Sequence, residues 1–164
     1  MPGEPLTAIC FDMDGTLVDS TAVVERGWQR FADRHGLDAA SFLGRVHGIR
    51  TSDAVALVAP WLDARAEADQ LDAEEAGDTD GLRPVPGAAP LLAALPRDAW
   101  AVVTSAGREL AQMRLTAAGL PIPGVLVCGE DTAAGKPAPD GYLAAARALG
   151  AEPDDCLVVE GVPS

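Results

Sequence analysis

Ile9-Cys10-Phe11-Asp12-Met13-Asp14-Gly15-Thr16-Leu17-Val18-Asp19-Ser20 is the stretch on which the reading of this chain turns. An apolar run meets a glycine turn, and two carboxylates stand two residues apart at the junction. Along a strand, alternate side chains point to opposite faces. Where the strand ends and the chain curls, Asp12 and Asp14 can face one pocket. Like charges that close need a cation or a shared proton. A divalent metal supplies the first and leaves one carboxylate free to act as a nucleophile. Gly15 allows the turn, and Thr16 offers a hydroxyl and a backbone N–H. The alternative is an ordinary strand–turn with solvated acids.

Working outward, Ala8 to Phe11 reads as a short buried strand. Ser20 or Thr21 can cap a helix running to about His35 and closed by Gly36, with Val24, Trp28 and Phe31 as its apolar stripe. Thr51 or Ser52 can cap a second helix that ends near Pro60. Residues 61–76 are helix-prone and acidic, and that acidic run reads as a solvated face. Residues 77–86 are turn-rich and mark a boundary. Beyond them, helices at 88–95, 109–118 and 140–149 alternate with strands at 99–104, 125–128 and 156–160. Such alternation implies right-handed crossovers and a parallel sheet. The expected fold class is α/β, a Rossmann-like parallel sheet core (1–17 and 85–164) with a small helical cap (18–84) inserted after the first strand. In open parallel sheets the site lies at the carboxyl ends of the strands.

Composition narrows the function. The chain has 164 residues, enough for one core and a small insertion. Its formal net charge of −13 argues against nucleic acid and anionic membrane surfaces as partners. It leaves a small phosphorylated metabolite open, because the local field of a metal outweighs the mean charge. No apolar run approaches a membrane span, and Met1–Glu4 carries no signal-peptide pattern. Cys10, Cys128 and Cys156 read as buried thiols in a reducing compartment, so the expected localisation is cytoplasmic. Lys136 is the one lysine in a chain that otherwise uses arginine. A compact ammonium is not equivalent to a guanidinium fork, which marks Gly135-Lys136-Pro137 as a candidate site, against the alternative of a surface lysine in a turn. Thr104, at the end of a strand and the start of a helix, offers a phosphate seat with the following N–H groups, Ser105 included, or simply caps the helix.

Asp12-Met13-Asp14-Gly15-Thr16-Leu17 resembles the DxDGT(L/V) signature of the haloacid-dehalogenase superfamily in its phosphatase form. Thr104 resembles that superfamily's second motif, whose Ser/Thr binds the transferring phosphoryl group. Residues 135–140 (GKPAPD) resemble its third, and residues 156–164 (CLVVEGVPS) its fourth. The stretches HGIRTSDA at 47–54, VPGA at 85–88 and LPRDAWAVVTSAGRE at 95–109 look like the glycerol-phosphate and 2-deoxyglucose-6-phosphate phosphatase branch.

The resemblance implies a Mg²⁺-dependent phosphomonoesterase acting on a small sugar or polyol phosphate. In it Asp12 is the nucleophile and Asp14 the acid and base. Thr104, Ser105 and Lys136 hold the phosphoryl oxygens. His47 and Arg50 approach the substrate from the cap, although Arg50 is equally well read as a helix start. Asp12, Asp14 (through its backbone carbonyl) and Glu160 hold the metal. In relatives an Asp follows that Glu, and here Gly161 stands in its place, so weak Mg²⁺ affinity is expected. Relatives also continue past this point, so the sequence looks C-terminally truncated, with a sheet edge open to self-association. An impaired or inactive fragment is therefore the second reading. Asp14 argues against a dehalogenase. The absence of a cap lysine argues against a phosphonatase and disfavours a hexose-phosphate mutase.

Overall fold

Four short apolar runs form one sheet in the computed structural model, which describes residues 7–161. Residues 1–6, at the beginning of the expected core, and residues 162–164, the last part of the fourth motif read above, lie outside it. In chain order the strands are β1 (Ala8–Phe11), β2 (Val18–Asp19), β3 (Arg83–Pro84), β4 (Trp100–Val103), β5 (Val125–Val127) and β6 (Cys156–Val159). The sheet order is β5-β4-β1-β6 and every pairing in it is parallel. Such strands need helical crossovers. These come from α5 (Ala88–Ala94), α6 (Arg108–Ala117) and α7 (Asp140–Leu149). The expected α/β class and parallel sheet are therefore what the chain forms.

Strand alternation sorts the core into two layers. Cys10, Ala101, Val103 and Val127 pack with Ala145 of α7 on one face. Phe11, Trp100 and Val102 pack with Leu110 and Leu115 of α6 on the other. Phe11 meets Trp100 edge to face at 6.3 Å between ring centroids. Among the described residues β6 lies at the edge of the sheet, and its Leu157 and Val158 are exposed.

Between β2 and β3 the chain is helical: α1 (Thr21–His35), α2 (Leu43–Val46), α3 (Thr51–Val58) and α4 (Ala64–Ala76). These helices bury a cluster of their own around Trp28, Phe31, Phe42 and Leu71. Truncating a fully buried aromatic such as Phe31 to Ala typically costs about 3–5 kcal/mol. β2 and β3 run antiparallel, pairing Val18 with Pro84 and Asp19 with Arg83. The chain thus leaves the sheet layer and returns to it through one paired ribbon, tied by the Arg83–Asp19 ion pair at 2.8 Å. Among the described residues no helix is long and apolar enough to cross a membrane.

Several local expectations change. Neither Thr51 nor Ser52 caps α3: Arg50 stands at the cap position, and Thr51 Oγ1 donates to Asp72 Oδ1 at 2.8 Å. A part-buried carboxylate needs that donor more than an exposed helix end does. Helix α4 begins only after Asp63, whose carboxylate accepts from Arg65 N and Ala66 N. Its acidic run is not wholly solvated, because Glu75 is buried.

Candidate active site

The ends of the strands gather the motif residues. Asp12 follows β1, Thr104 follows β4 and Glu160 follows β6. Asp12 N donates to Val159 O and Thr104 N to Val127 O, both at 2.9 Å, so the ladder carries each residue to the sheet's carboxyl edge. Past Asp12 the chain wraps around Met13, which is fully buried and whose carbonyl accepts from the N–H groups of Thr16, Leu17 and Val18. Gly15 turns this loop at φ 79°, in the left-handed region that side chains disfavour.

Asp12 Oδ1 accepts from Lys136 Nζ at 2.7 Å, and Thr16 Oγ1 approaches Asp12 Oδ2 at 3.5 Å. Lys136 also donates to Val103 O at 3.2 Å and stands 3.6 Å from Glu160 Oε1. Tyr142 OH donates to the same Glu160 oxygen. Burial raises the Asp12 carboxyl above its ordinary value, and the Lys136 ammonium opposes that rise. Burial and the Glu160 carboxylate hold the Tyr142 hydroxyl far above its usual range, so it remains a donor. Two carboxylates and one ammonium leave this group formally negative.

The Asp14 carboxylate lies close enough to raise the Asp12 carboxyl further, and it has partners of its own. Ser20 Oγ donates to Asp14 Oδ1 at 2.7 Å instead of capping α1. Arg114 Nη1 donates to Asp14 Oδ2 at 3.0 Å, and Arg114 Nη2 donates to the Glu75 carboxylate. Arg114 is 3% exposed and Glu75 6% exposed, so the guanidinium reaches from a buried acid to Asp14, whose side chain stays partly open to solvent. Burial pushes the Glu75 carboxyl up to about 7 against the opposing pull of Arg114. Room for Glu75 comes from Gly27 in the middle of α1, where a Cβ would lie 2.8 Å from Glu75 Oε1.

Neither Arg114 nor Glu75 was singled out from the sequence, yet both carry a signal there. Arg114 follows Leu110 by four places and Ala111 by three on the buried stripe of α6. Glu75 follows Ala68 and Leu71 on that of α4. A charge at an apolar position of a helical stripe is the mark of a paired buried ion.

A narrow cleft lies beside Lys136, lined by Thr104, Ser105, Arg50, Gly135 and Tyr142. Thr104 is buried and its Oγ1 accepts from Ala106 N at 3.1 Å, leaving its own O–H free to donate. Ser105 Oγ donates to Gly48 O at 2.8 Å. Arg50 crosses from the helical segment and donates to Thr132 O, Thr132 Oγ1 and Ala133 O. Its stem lies on Gly135, where a Cβ would come within 2.9 Å of Arg50 Nε. His47 is exposed and does not line the cleft.

Among the described residues no three His, Cys, Asp or Glu side chains gather into a ready-made metal cluster. The carboxylate of Asp14 is held by Ser20 and Arg114, which leaves Asp12 and Glu160, both beside Lys136, as side-chain oxygen donors. Magnesium characteristically takes one or two carboxylates together with waters and substrate phosphate oxygens, and this oxygen-only set fits that manner of binding. Gly161 runs close to the first motif: a Cβ there would lie 3.1 Å from Gly15 O and 3.4 Å from Thr16 Oγ1.

Residues 6–161 match the model of the family described as haloacid dehalogenase-like hydrolase. The chain belongs to this family. It is 41% identical over 162 residues to hexitol phosphatase A of Escherichia coli (strain K12), covering 94% of this chain and 74% of that protein. It is 35% identical over 152 residues to glycerol-1-phosphate phosphohydrolase 2 of Saccharomyces cerevisiae, covering 88% of this chain and 60% of that one. Among solved structures, a hydrolase from Pseudomonas syringae superposes with a TM-score of 0.80 at 30% identity, covering 95% of this chain and 76% of that chain. The chain therefore spans between 60% and about three quarters of the length of these relatives. Within the haloacid dehalogenase-like frame, the Asp12–Lys136–Glu160 group occupies the carboxyl edge of the parallel sheet.

Proposed function

We propose that this hydrolase is a phosphomonoesterase for a small sugar or polyol phosphate, with Asp12 as the nucleophile. The observation that carries the reading is the 2.7 Å contact between Asp12 Oδ1 and Lys136 Nζ at the carboxyl ends of β1 and β4. An ammonium there serves two purposes. It opposes the rise that burial imposes on the Asp12 carboxyl, and it offers positive charge to the phosphoryl oxygens as they gather charge. The names of the relatives, a hexitol phosphatase and a glycerol-1-phosphate phosphohydrolase, support the substrate class.

In the proposed reaction an Asp12 oxygen attacks phosphorus, a P–O bond to Asp12 forms and the ester P–O bond breaks. Asp14 gives a proton to the departing alkoxide. Water then attacks the same phosphorus, Asp14 takes its proton, the bond to Asp12 breaks and inorganic phosphate leaves. Thr104 donates its free O–H to an equatorial oxygen. Mg²⁺, held by Asp12, Glu160 and the Asp14 carbonyl, would offset the charge between carboxylate and phosphate. Arg50, which lines the cleft, is the cap residue this reading assigns to the hydroxyls of the substrate.

The test is turnover of hexitol, glycerol and 2-deoxyglucose phosphates with Mg²⁺, compared between wild type and Asp12→Asn. Hydrolysis lost in the variant supports the reading, and equal rates in the two proteins refute it. A folded wild type that is inert towards every ester would favour the impaired reading that Gly161 suggests.

A further inference from the structure

Arg114 is a costly residue at its position. Its side chain is 4% exposed, it contacts two carboxylates, and its Nε finds no partner. Replacing a buried ion pair by apolar residues of similar volume is often neutral or stabilising, so stability alone is a weak reason for one. The chain also places a glycine inside α1, at a cost in helix stability, so that Glu75 can approach. Asp72 accepts from Thr51 in the same neighbourhood and contributes to the field at Arg114.

The partners lie on three different segments. Asp14 belongs to the loop after β1, Arg114 to α6 against the sheet, and Glu75 to α4 in the helical segment between β2 and β3. A guanidinium presents a rigid planar fork of donors, so one carboxylate fixes the angle at which it meets the other. Ser20 holds the second Asp14 oxygen, which closes the chain Ser20–Asp14–Arg114–Glu75.

We infer that Arg114 and Glu75 are positioning residues for Asp14: the buried fork sets where the Asp14 carboxylate stands, and Glu75 ties that setting to the placement of helix α4. The inference rests on the assignment of Asp14 as the acid and base. A lysine at 114 keeps the charge but can serve only one carboxylate well, so Asp14 loses its fixed orientation while the fold keeps its buried cation. The proton transfers then suffer, and binding of the ester, which involves Lys136 and Thr104, does not.

The experiment is a kinetic cycle with glycerol 1-phosphate or a hexitol phosphate, whose alkoxides need a proton to leave, and Mg²⁺ on wild type, Arg114→Lys, Asp14→Asn and the double variant. The expected result is a fall of about tenfold or more in kcat for Arg114→Lys with KM within about twofold, a loss on the order of 1.4 kcal/mol. In the Asp14→Asn background the same substitution should change kcat by less than about twofold. A purely structural role would lower both backgrounds by the same factor, and that result overturns the inference, as does wild-type kcat in Arg114→Lys. If Arg114→Lys loses cooperative unfolding, Glu75→Gln replaces it in the same cycle, with the same two criteria. Wild type that turns over and depends on Asp14, with unaffected Arg114 and Glu75 variants, refutes this inference alone. A wild type with no turnover refutes the phosphatase reading and this inference with it.

Discussion

Gly27→Ala should destabilise this protein, although the same change in most helix interiors stabilises. An interior helical glycine is worse than alanine by roughly 0.5–1 kcal/mol, so the backbone alone predicts a gain of that size. Here the new Cβ would lie 2.8 Å from Glu75 Oε1, 3.2 Å from its Cγ and 3.4 Å from its Cδ. A carboxylate tip on an exposed side chain would swing aside. Glu75 cannot, because it is 6% exposed and bonded to Arg114. Either α1 and α4 separate, with overpacking costs of roughly 1–3 kcal/mol, or the ion pair opens, with a limit of about 3–5 kcal/mol for breaking a buried pair. Set against the propensity gain, the cheaper of these routes leaves a net loss of about 1 kcal/mol, within a range of roughly 0–2.5 kcal/mol. For a chain of this size that lowers Tm by roughly 2–4 °C per kcal/mol. Urea unfolding followed by far-UV circular dichroism measures it. In a Glu75→Ala background the obstruction is gone, and Gly27→Ala should then stabilise by the ordinary ~0.5–1 kcal/mol. Stabilisation in both backgrounds would refute the claim that Gly27 exists to admit Glu75.

Lys136→Arg should lower kcat by more than about tenfold, since a fork cannot place one charge where a compact ammonium meets Asp12 and the Val103 carbonyl; steady-state kinetics test this. Burial holds the Glu75 carboxyl at about 7, above its ordinary 4.5. Its contribution to stability is therefore full below the ordinary value and is lost as the pH rises through about 7. Wild type should lose stability relative to Glu75→Gln over that window by up to ~1.4 kcal/mol per pH unit, read from denaturation midpoints across the range. Gly129→Ala would put a Cβ 2.5 Å from Ser105 O. It should displace the loop after β4, costing roughly 1–3 kcal/mol in urea unfolding and lowering turnover with it.

The sheet was legible because apolar runs, turn residues and helix-forming windows alternate over residues 85–160, and parallel strands leave few ways to connect them. Asp12 was legible as one of two acids at a strand end and Lys136 as the one lysine, but their grouping with Glu160 came from the resemblance to the haloacid-dehalogenase motifs; the ends of parallel strands bring these residues together. The hidden part was long-range. Nothing local tells that Ser20 turns from its helix to Asp14, that Thr51 serves Asp72, or that Arg114 meets Asp14 across 100 positions of sequence. The β2–β3 ribbon was also hidden, being two residues long on each side and containing a proline. Arg114 and Glu75 did leave a trace, as charges on apolar stripes, and Gly27 as a glycine inside a helix. Read together, the three traces outline one buried contact.

The central claim is that Asp12 carries the phosphoryl group, and acid-quenched mass spectrometry of the enzyme during turnover tests it most directly. The peptide bearing Asp12 should gain the mass of one phosphoryl group in wild type. The adduct should be lost in Asp12→Asn, together with release of phosphate. Release of phosphate by Asp12→Asn at the wild-type rate, or a phosphoryl group found on another residue, would contradict the account.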